Sequence, residues 1–169
     1  MTKLHVCPLS DLVPTLEASR ARWMISLSGP GKSPSRPKQI DRNFLALEFN
    51  DIAEPRPGLS PPSREHVGQI LHFLSEWNGE EDLLIHCWMG ISRSTAAVAI
   101  AMAHHDPEQD MVQLALSLRQ ASPTATPNPL MISIADDMIG LGGRLGEAIA
   151  SIGRGEETSQ GAPFVMQIL

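Results

Sequence analysis

The sequence of 169 residues predicts a single α/β domain of three layers, with a mostly parallel central sheet of about four to five strands flanked by helices. Two observations predict this class. Short apolar runs, typical of strands, alternate with helical patterns along the first two thirds of the chain. Helical patterns then follow one another toward the C-terminus without strands between them.

Four apolar runs predict the strands. The first run contains Pro8, which donates no ladder hydrogen bond, so we expect this strand at an edge of the sheet. The last run is unbroken, as expected for a central strand that is covered on both faces. The four runs are Leu4–Leu9, Arg22–Leu27, Phe44–Phe49 and Leu83–Cys87.

Two helices are predicted from their ends. Ser10–Ala18 fits a short helix capped by its serine. Ser60 is the expected cap of a longer helix, with Pro61 in its first turn and an apolar stripe over residues 67–77. Asn78–Gly79 then ends this helix.

Further helices are predicted after the fourth strand. Residues 94–103 are small and apolar on all sides, which indicates a buried helix. Amphipathic patterns predict helices over 111–118 and 130–138, and a glycine-rich piece over 140–155 contains a candidate last helix. The tail, Pro163–Leu169, is apolar enough to dock on the domain.

The composition excludes several broad classes. The formal net charge of −6 argues against nucleic acid as the main partner. Cys7 and Cys87 form no C-x-x-C pair, so neither a disulfide framework nor a thiolate zinc site is indicated. Charged residues and proline follow the first methionine before a signal-like stretch builds up, and no apolar run approaches the roughly 20 residues of a membrane span. We therefore expect a cytoplasmic protein without a membrane partner.

The stretch G-P-G-K-S, Gly29–Ser33, follows the second predicted strand and raises the question of nucleotide binding. A nucleotide-binding phosphate loop requires G-x-x-x-x-G-K-[ST], and its first glycine position is Ser26 here. Pro34 and Pro37 also oppose the helix whose N-terminus would hold the phosphates. The sequence therefore does not predict a nucleotide site in this loop.

A second loop, between the fourth predicted strand and the helix that follows it, has both the spacing and the following helix that a phosphate-binding loop needs. In L-L-I-H-C-W-M-G-I-S-R-S-T-A-A-V, Leu83–Val98, a cysteine ends the predicted strand and an arginine opens the predicted helix. Such a loop, with Gly90 in its middle, can turn successive backbone N–H groups inward around an anion. The planar guanidinium of Arg93 matches two phosphate oxygens, and the same donors favour a thiolate on Cys87. The segment predicts a nucleophile and an oxyanion cradle in one loop.

Each of these residues alone has an ordinary explanation, because a cysteine before a helix is usually a small apolar core residue and a lone arginine a surface charge. The combination is much rarer. H-C-W-M-G-I-S-R-S-T-A-A-V, residues 86–98, resembles the H-C-x5-R-[ST] signature of the cysteine-dependent protein tyrosine phosphatase superfamily. Its G-x-S-R-S part resembles the dual-specificity branch. F-N-D-I, Phe49–Ile52, before a proline-rich loop resembles small bacterial phosphatase-like proteins.

The resemblance implies one phosphatase domain over residues 1–169, with a signature loop at 86–94 and a general-acid loop at 50–62. It implies that His86 orients the signature loop and favours the thiolate. It also implies that Ser94 donates a hydrogen bond to the sulfur and helps it to leave. The residues implied to bind phosphate through their backbone N–H groups are Trp88, Met89, Gly90, Ile91 and Ser92.

The family also needs a general acid, because the leaving oxygen must be protonated. Asp51, after the third predicted strand, is the best candidate, and its ordinary alternative is an Asx-turn. Glu54 is the next candidate, and Glu48 is weaker because it lies inside the predicted strand. Asn128, in T-P-N-P, is expected either to position water or to cap the next helix.

The resemblance implies hydrolysis of phosphate monoesters without a metal or cofactor, through a phosphocysteine intermediate, on protein phosphotyrosine with dual specificity left open. The alternatives are a phosphatase of a non-protein ester or anhydride such as an RNA end or a small molecule, a sulfurtransferase, and a non-catalytic phosphate-binding module. No Lys or further Arg lies between Cys87 and Arg93, which lowers the rank of polyphosphorylated lipids and inositols. The substrate and the oligomeric state stay open at this point.

Overall fold

The computed structural model describes residues 1–168 as a five-stranded sheet with the order β3-β2-β4-β1-β5. The pairs β1–β4, β2–β4 and β2–β3 are parallel, and β5 is antiparallel to β1. The strands are β1 Thr2–Pro8, β2 Trp23–Ser28, β3 Asn43–Glu48, β4 Leu83–Cys87 and β5 Phe164–Ile168.

Helices flank this sheet, as the predicted fold class requires. A single 3₁₀ turn, Leu9–Asp11, precedes the first of them. The helices are α1 Leu12–Ala18, α2 Arg64–Trp77, α3 Arg93–His105, α4 Met111–Ala121, α5 Pro129–Ile139 and α6 Arg144–Ser151.

The core is divided unequally by the sheet. On one face a small cluster joins Leu12 and Leu16 of α1 to Cys7, Met24 and Leu84 of the strands. On the other face a much larger cluster joins the sheet to the helices α2–α6. Every residue of β4 is buried, which confirms the central strand that its unbroken apolar run predicts.

The predicted edge position of the first strand is wrong. β1 lies between β4 and β5, and the tail that was expected to dock on the domain supplies β5. Pro8 is tolerated because it is the last residue of β1, whereas β5 pairs only with Thr2–Val6. No ladder bond to β5 is therefore lost at the proline. Leu169, the last residue of the predicted tail, lies outside the described residues.

The predicted N-terminal caps of the first two helices are also wrong, whereas Asn78 ends α2 as expected. Ser10 lies inside the 3₁₀ turn, and α1 begins only at Leu12. The longer helix is capped by Ser63, whose side chain accepts a hydrogen bond from the His66 N–H group in a capping box. The carbonyl of Ser60 instead accepts from the N–H of Asn50, at 2.7 Å, and so belongs to the loop after β3.

The topology brings four loops to one edge of the sheet. Because β1–β4 share one direction, the segments that follow their carboxyl ends meet there. The loop after β2 is followed by no helix before β3, in keeping with the absence of a nucleotide motif.

None of the helices in residues 1–168 is long and apolar enough to span a bilayer.

Candidate active site

Cys87 ends β4 at this edge, and its side chain is only 2% exposed. The N–H group of Gly90 donates a hydrogen bond to Sγ at 3.3 Å. The hydroxyl of Ser94, in the first turn of α3, lies 3.1 Å from Sγ and can donate a second one. The sulfur therefore lies where the loop and the first turn of α3 can both direct donors at it.

The carbonyl groups of the signature loop point away from its centre. Four of them accept hydrogen bonds from backbone N–H groups of surrounding segments. Within residues 1–168 the N–H groups of Met89, Ile91 and Ser92 have no partner. Because the carbonyl oxygens of the loop are bonded to segments outside it, its N–H groups remain available to an anion at the centre. The four bonds are Leu9 N–H to Trp88 O (3.2 Å), Gly161 N–H to Met89 O (2.8 Å), Thr126 N–H to Ile91 O (2.9 Å) and Asn128 N–H to Ser92 O (3.2 Å).

Gly90 is required by two features of the loop. Its φ of +67° lies in the left-handed region, which disfavours side chains. A Cβ at this position would also lie 2.8 Å from the backbone nitrogen of Pro8. The glycine predicted for backbone freedom therefore also allows close packing of the loop against the end of β1.

Arg93 is the first residue of α3 and is 8% exposed. Its Nη1 donates to the carbonyl of Phe49 at 2.9 Å, which anchors the guanidinium to the end of β3. Its Nε is buried and has no hydrogen-bond partner among the described residues. A buried guanidinium N–H without a partner is costly, and a phosphate oxygen is the ligand that would satisfy it.

Asp51 lies against the signature loop. Its Oδ1 accepts from the Ser92 hydroxyl at 2.7 Å and from Nδ2 of Asn128 at 2.9 Å. Its Oδ2 has no hydrogen-bond partner in residues 1–168 and is thus available to a ligand. The Asp51 side chain is exposed to solvent, as an acid that meets substrate must be.

The other acid candidates are placed differently. Glu54 is exposed and has no hydrogen bond to the signature loop within the described residues. Glu48 accepts from the Gly31 N–H at 3.0 Å, and this bond, followed by one from the Ser33 hydroxyl, lowers the pKa of its carboxyl. Glu48 therefore belongs to the loop after β2. Of the three carboxylates, Asp51 is the one that contacts the signature loop within the described residues.

His86 is fully buried beside the nucleophile. Its Nε2 lies 2.7 Å from the Ser26 hydroxyl, and its Nδ1 lies 3.4 Å from the carbonyl of Cys87. Burial lowers the pKa of His86 to about 4, and the positive charge of Arg93 acts in the same direction. The ring is therefore neutral near pH 7, so it can orient the loop through hydrogen bonds but does not favour the thiolate through charge.

The second cysteine has a different environment. Cys7 lies in the small cluster on the opposite face of the sheet and is fully buried. Burial raises the pKa of its thiol to about 12. Cys7 therefore stays protonated and is not a competing nucleophile.

A groove of about 1620 Å³ opens beside the signature loop. It begins at Asp51 and Ser92 and continues along α5 and α6. Cys87 and Arg93 do not line it, so the groove adjoins the cradle on the side of Asp51.

Trp88, 55% exposed, and Met89 are the two large apolar side chains that the signature loop presents to solvent. Among residues 1–168 no group of three or more His, Cys, Asp or Glu side chains is arranged to hold a metal ion.

The fold is similar to solved structures of phosphatases. DUSP15 superposes with a TM-score of 0.59 at 18% identity, over 91% of this chain and 94% of that one. The human tyrosine phosphatase-like serine/threonine/tyrosine-interacting protein gives a TM-score of 0.61 at 16% identity, over 82% and 91%. The Yvh1 phosphatase domain from Chaetomium thermophilum gives 0.55 at 17% identity, over 84% and 93%. No family model matches the sequence, and no curated protein matches it.

The chain therefore has the fold of these phosphatase and phosphatase-like structures. This confirms the predicted fold class. At these identities the likeness shows the fold, and an activity has to be derived from the site.

Proposed function

We propose that this protein hydrolyses phosphate monoesters by covalent catalysis on Cys87, without a metal ion. One observation carries the proposal: a nucleophilic sulfur with two hydrogen-bond donors and a buried, unpartnered guanidinium nitrogen belong to the same loop. The sulfur is the atom that attacks phosphorus, and the guanidinium is the group that binds the equatorial oxygens.

The reaction has two displacement steps. In the first, the Cys87 thiolate forms a bond to phosphorus while the bond from phosphorus to the leaving oxygen breaks. Asp51 gives its proton to that oxygen, which leaves as an alcohol or phenol. In the second step water attacks the phosphocysteine, Asp51 takes the water proton, and the S–P bond breaks. The Ser94 hydroxyl, 3.1 Å from the sulfur, stabilises the departing thiolate.

The guanidinium of Arg93 has two edges with different roles. Nη1 is engaged with the Phe49 carbonyl, so Nε and Nη2 form the edge that faces a phosphate. Two parallel N–H groups match two oxygens of the transferring group. The backbone donors of Met89, Ile91 and Ser92 take up the remaining negative charge.

The substrate class we favour is a phosphorylated protein, with phosphotyrosine first and dual specificity next. Two structural neighbours support this choice: the human tyrosine phosphatase-like protein and Tk-PTP, the latter with a TM-score of 0.52 at 16% identity. Trp88 and Met89, exposed in the signature loop, offer apolar surface against which an aromatic ring can pack. A cysteine nucleophile reacts only while it is not oxidised, so we propose a reducing compartment such as the cytoplasm.

Turnover of p-nitrophenyl phosphate tests the proposal. We expect activity that persists in EDTA and is inhibited by vanadate, a mimic of the five-coordinate phosphoryl group. Loss of activity in EDTA that zinc or magnesium restores would overturn the mechanism. Thiosulfate as the alternative substrate separates a sulfurtransferase from a phosphatase. A panel of phosphotyrosine, phosphoserine and phosphothreonine peptides, together with phosphorylated RNA ends and small molecules, then tests the substrate class.

A further inference from the structure

The segment between α6 and β5 crosses the outside of the signature loop, and we call residues 153–163 the C-terminal strap. The strap is attached near the loop by hydrogen bonds that its backbone N–H groups donate. The N–H group of Glu156 donates to the Pro123 carbonyl at 3.0 Å, and that of Gly155 donates to Oγ1 of Thr126 at 3.1 Å. The N–H group of Gly161 donates to the carbonyl of Met89, inside the signature loop, at 2.8 Å.

Gly161 is buried, and it packs directly on Gly90. A Cβ added at Gly161 would lie 2.6 Å from the Gly90 carbonyl oxygen and 3.2 Å from its carbonyl carbon. On the opposite side, a Cβ at Gly90 would lie 2.8 Å from the nitrogen of Pro8. The Gly90 peptide is therefore enclosed between the end of β1 and the strap, and backbone atoms on both sides leave little space for movement.

The enclosure of the Gly90 peptide matters for the proposed reaction because this peptide belongs to the phosphate cradle. Its N–H group donates to the Cys87 sulfur, and the loop that contains it supplies the donors for phosphate. A shift of the Gly90 peptide by a few tenths of an ångström changes the direction of these donors. Donors aimed at a transition state lose more from misplacement than donors that only bind a ground state.

We propose that Gly161 is a positioning residue of the phosphate cradle and that the C-terminal strap is a working part of the active site. This inference rests on the proposed phosphatase function. It assigns a role in the reaction to a residue that lies after α6 and far from the signature in sequence. Gly161 fills this role by donating a hydrogen bond from outside the loop to the carbonyl of the Met89–Gly90 peptide.

The substitution Gly161→Ala tests this directly, because the φ of Gly161 lies outside the left-handed region and alanine changes only the contact. Gly68→Ala in α2 is the matched control, since its added Cβ would lie 3.5 Å from the Met138 methyl group, an ordinary contact. We expect kcat for p-nitrophenyl phosphate to fall about 10- to 100-fold in Gly161→Ala, measured well below the melting temperature. The control should keep the wild-type kcat.

Binding of two anions separates positioning from stability. Vanadate resembles the five-coordinate state, whereas inorganic phosphate resembles the ground state. We expect Gly161→Ala to weaken vanadate binding more than phosphate binding, so the ratio of the two affinities falls. A merely destabilised protein would lose the same fraction of both. An unchanged ratio together with wild-type kcat would overturn the inference.

A measurement on the wild-type protein covers the case in which Gly161→Ala does not fold. If the strap and the cradle are coupled, vanadate should slow amide hydrogen exchange at Gly161. The N–H of Asn78, which donates to the Leu74 carbonyl at 3.2 Å at the end of α2 and lies outside the strap, is the internal reference. Equal effects on both amides would contradict the proposal. A wild-type protein that neither hydrolyses p-nitrophenyl phosphate nor binds vanadate would instead contradict the proposed function.

Discussion

The side-chain amide of Asn128 joins the first turn of α5 to the carboxylate of Asp51. Its Oδ1 accepts from the N–H groups of Leu130 and Met131, each at 3.0 Å, so the oxygen caps the helix. Its Nδ2 donates to Oδ1 of Asp51 at 2.9 Å and to the Ile52 carbonyl at 3.1 Å. Because the cap fixes the oxygen, the amide nitrogen can only face the acid. Asn128 is a helix cap and, through its nitrogen, also holds the loop of Asp51, the proposed general acid.

The first prediction concerns Asn128→Asp. An aspartate preserves the cap but places a carboxylate oxygen where the donor faced Asp51. Two carboxylates in contact resist ionisation together, so the acid should keep its proton to a higher pH. We expect the basic limb of the kcat profile of this variant, measured with phenyl phosphate, to lie at higher pH than that of the wild type.

Asn128→Ser is the control for this change. Serine is also a good cap, and it removes the amide donor without adding charge. It should move the basic limb in the same direction but by less. Profiles that match the wild type in both variants would show that Asn128 acts only on the helix.

The second prediction concerns Asp51→Asn. Without a proton for the leaving oxygen, kcat for phenyl phosphate should fall by roughly 10²–10⁴, the usual share of general acid catalysis. The loss should shrink for substrates whose leaving groups depart readily without a proton. The basic limb of the pH profile should flatten, while vanadate binding changes little because the cradle is intact.

Glu54→Gln is the matched variant for Asp51→Asn, since it removes one carboxylate from the same loop. It should be close to silent in kcat, because Glu54 has no bond to the signature loop in the described residues. The reverse pattern, with Glu54→Gln impaired and Asp51→Asn nearly normal, would move the acid to Glu54. If neither variant is impaired, the acid lies outside this loop.

The third prediction concerns the nucleophile. Cys87→Ser should abolish turnover, because a serine hydroxyl is far harder to ionise than a thiol and the same donors cannot compensate. Phosphate binding, measured by titration, should survive because the backbone donors and Arg93 are unchanged. Cys7→Ser is the comparison: its thiol is held protonated by burial, so any effect should be on stability and not on the chemical step. A Cys87→Ser variant that keeps more than about a tenth of wild-type kcat would show that the nucleophile is misassigned.

The fourth prediction concerns Arg93→Lys. An ammonium group keeps the charge but has neither the parallel Nε–Nη2 pair nor the planar shape that reaches the Phe49 carbonyl at the same time. We expect a loss in kcat/KM of about 10²-fold or more, with weaker vanadate binding. Wild-type kinetics in this variant would mean that a point charge is sufficient for the cradle.

The sequence predicted the fold and the centre of the candidate site because both depend on local patterns. The unbroken run of Leu83–Cys87 predicts β4, and the glycine and arginine that follow predict a loop closing on a helix. By contrast, the prediction that Pro8 places its strand at the sheet edge was wrong. β5 pairs with Thr2–Val6 only, so the missing N–H of Pro8 costs no hydrogen bond to β5. For α2, S-P-P-S offers two serines, Ser60 and Ser63, and the tertiary position of the acid loop selects the second.

The contacts that complete the site could not be predicted in this way. Ser92 was expected to contribute only its backbone N–H, yet its hydroxyl donates to Asp51. Gly161 lies in a segment with no periodic pattern, and its contact with Gly90 becomes visible only when β5 pairs with β1. Both are contacts between residues distant in sequence, and neither produces a local signal.

The last prediction concerns pH and stability, through His86. Burial holds its pKa at about 4 in the folded protein, against an ordinary value of 6.5. Between these values the unfolded chain binds a proton that the folded chain rejects, so stability is full above about pH 6.5 and is lost as the pH falls toward 4. From pH 7.5 to pH 5.0 this group alone should reduce the free energy of unfolding by about 2 kcal/mol.

The variant His86→Asn checks the direction and the size of this stability loss. Asparagine can still hydrogen-bond the Ser26 hydroxyl, but it cannot take up a proton. Urea unfolding of both proteins at pH 7.5 and 5.0 gives four free energies, and their double difference isolates the histidine. His66 and His104, whose pKa values burial also lowers, remain in both proteins and cancel. The variant should lose less stability on acidification than the wild type, whatever its stability at pH 7.5. Equal losses would mean that folding does not lower the pKa of His86, so that the ring would take up a proton in the folded protein as the pH falls through 6.5.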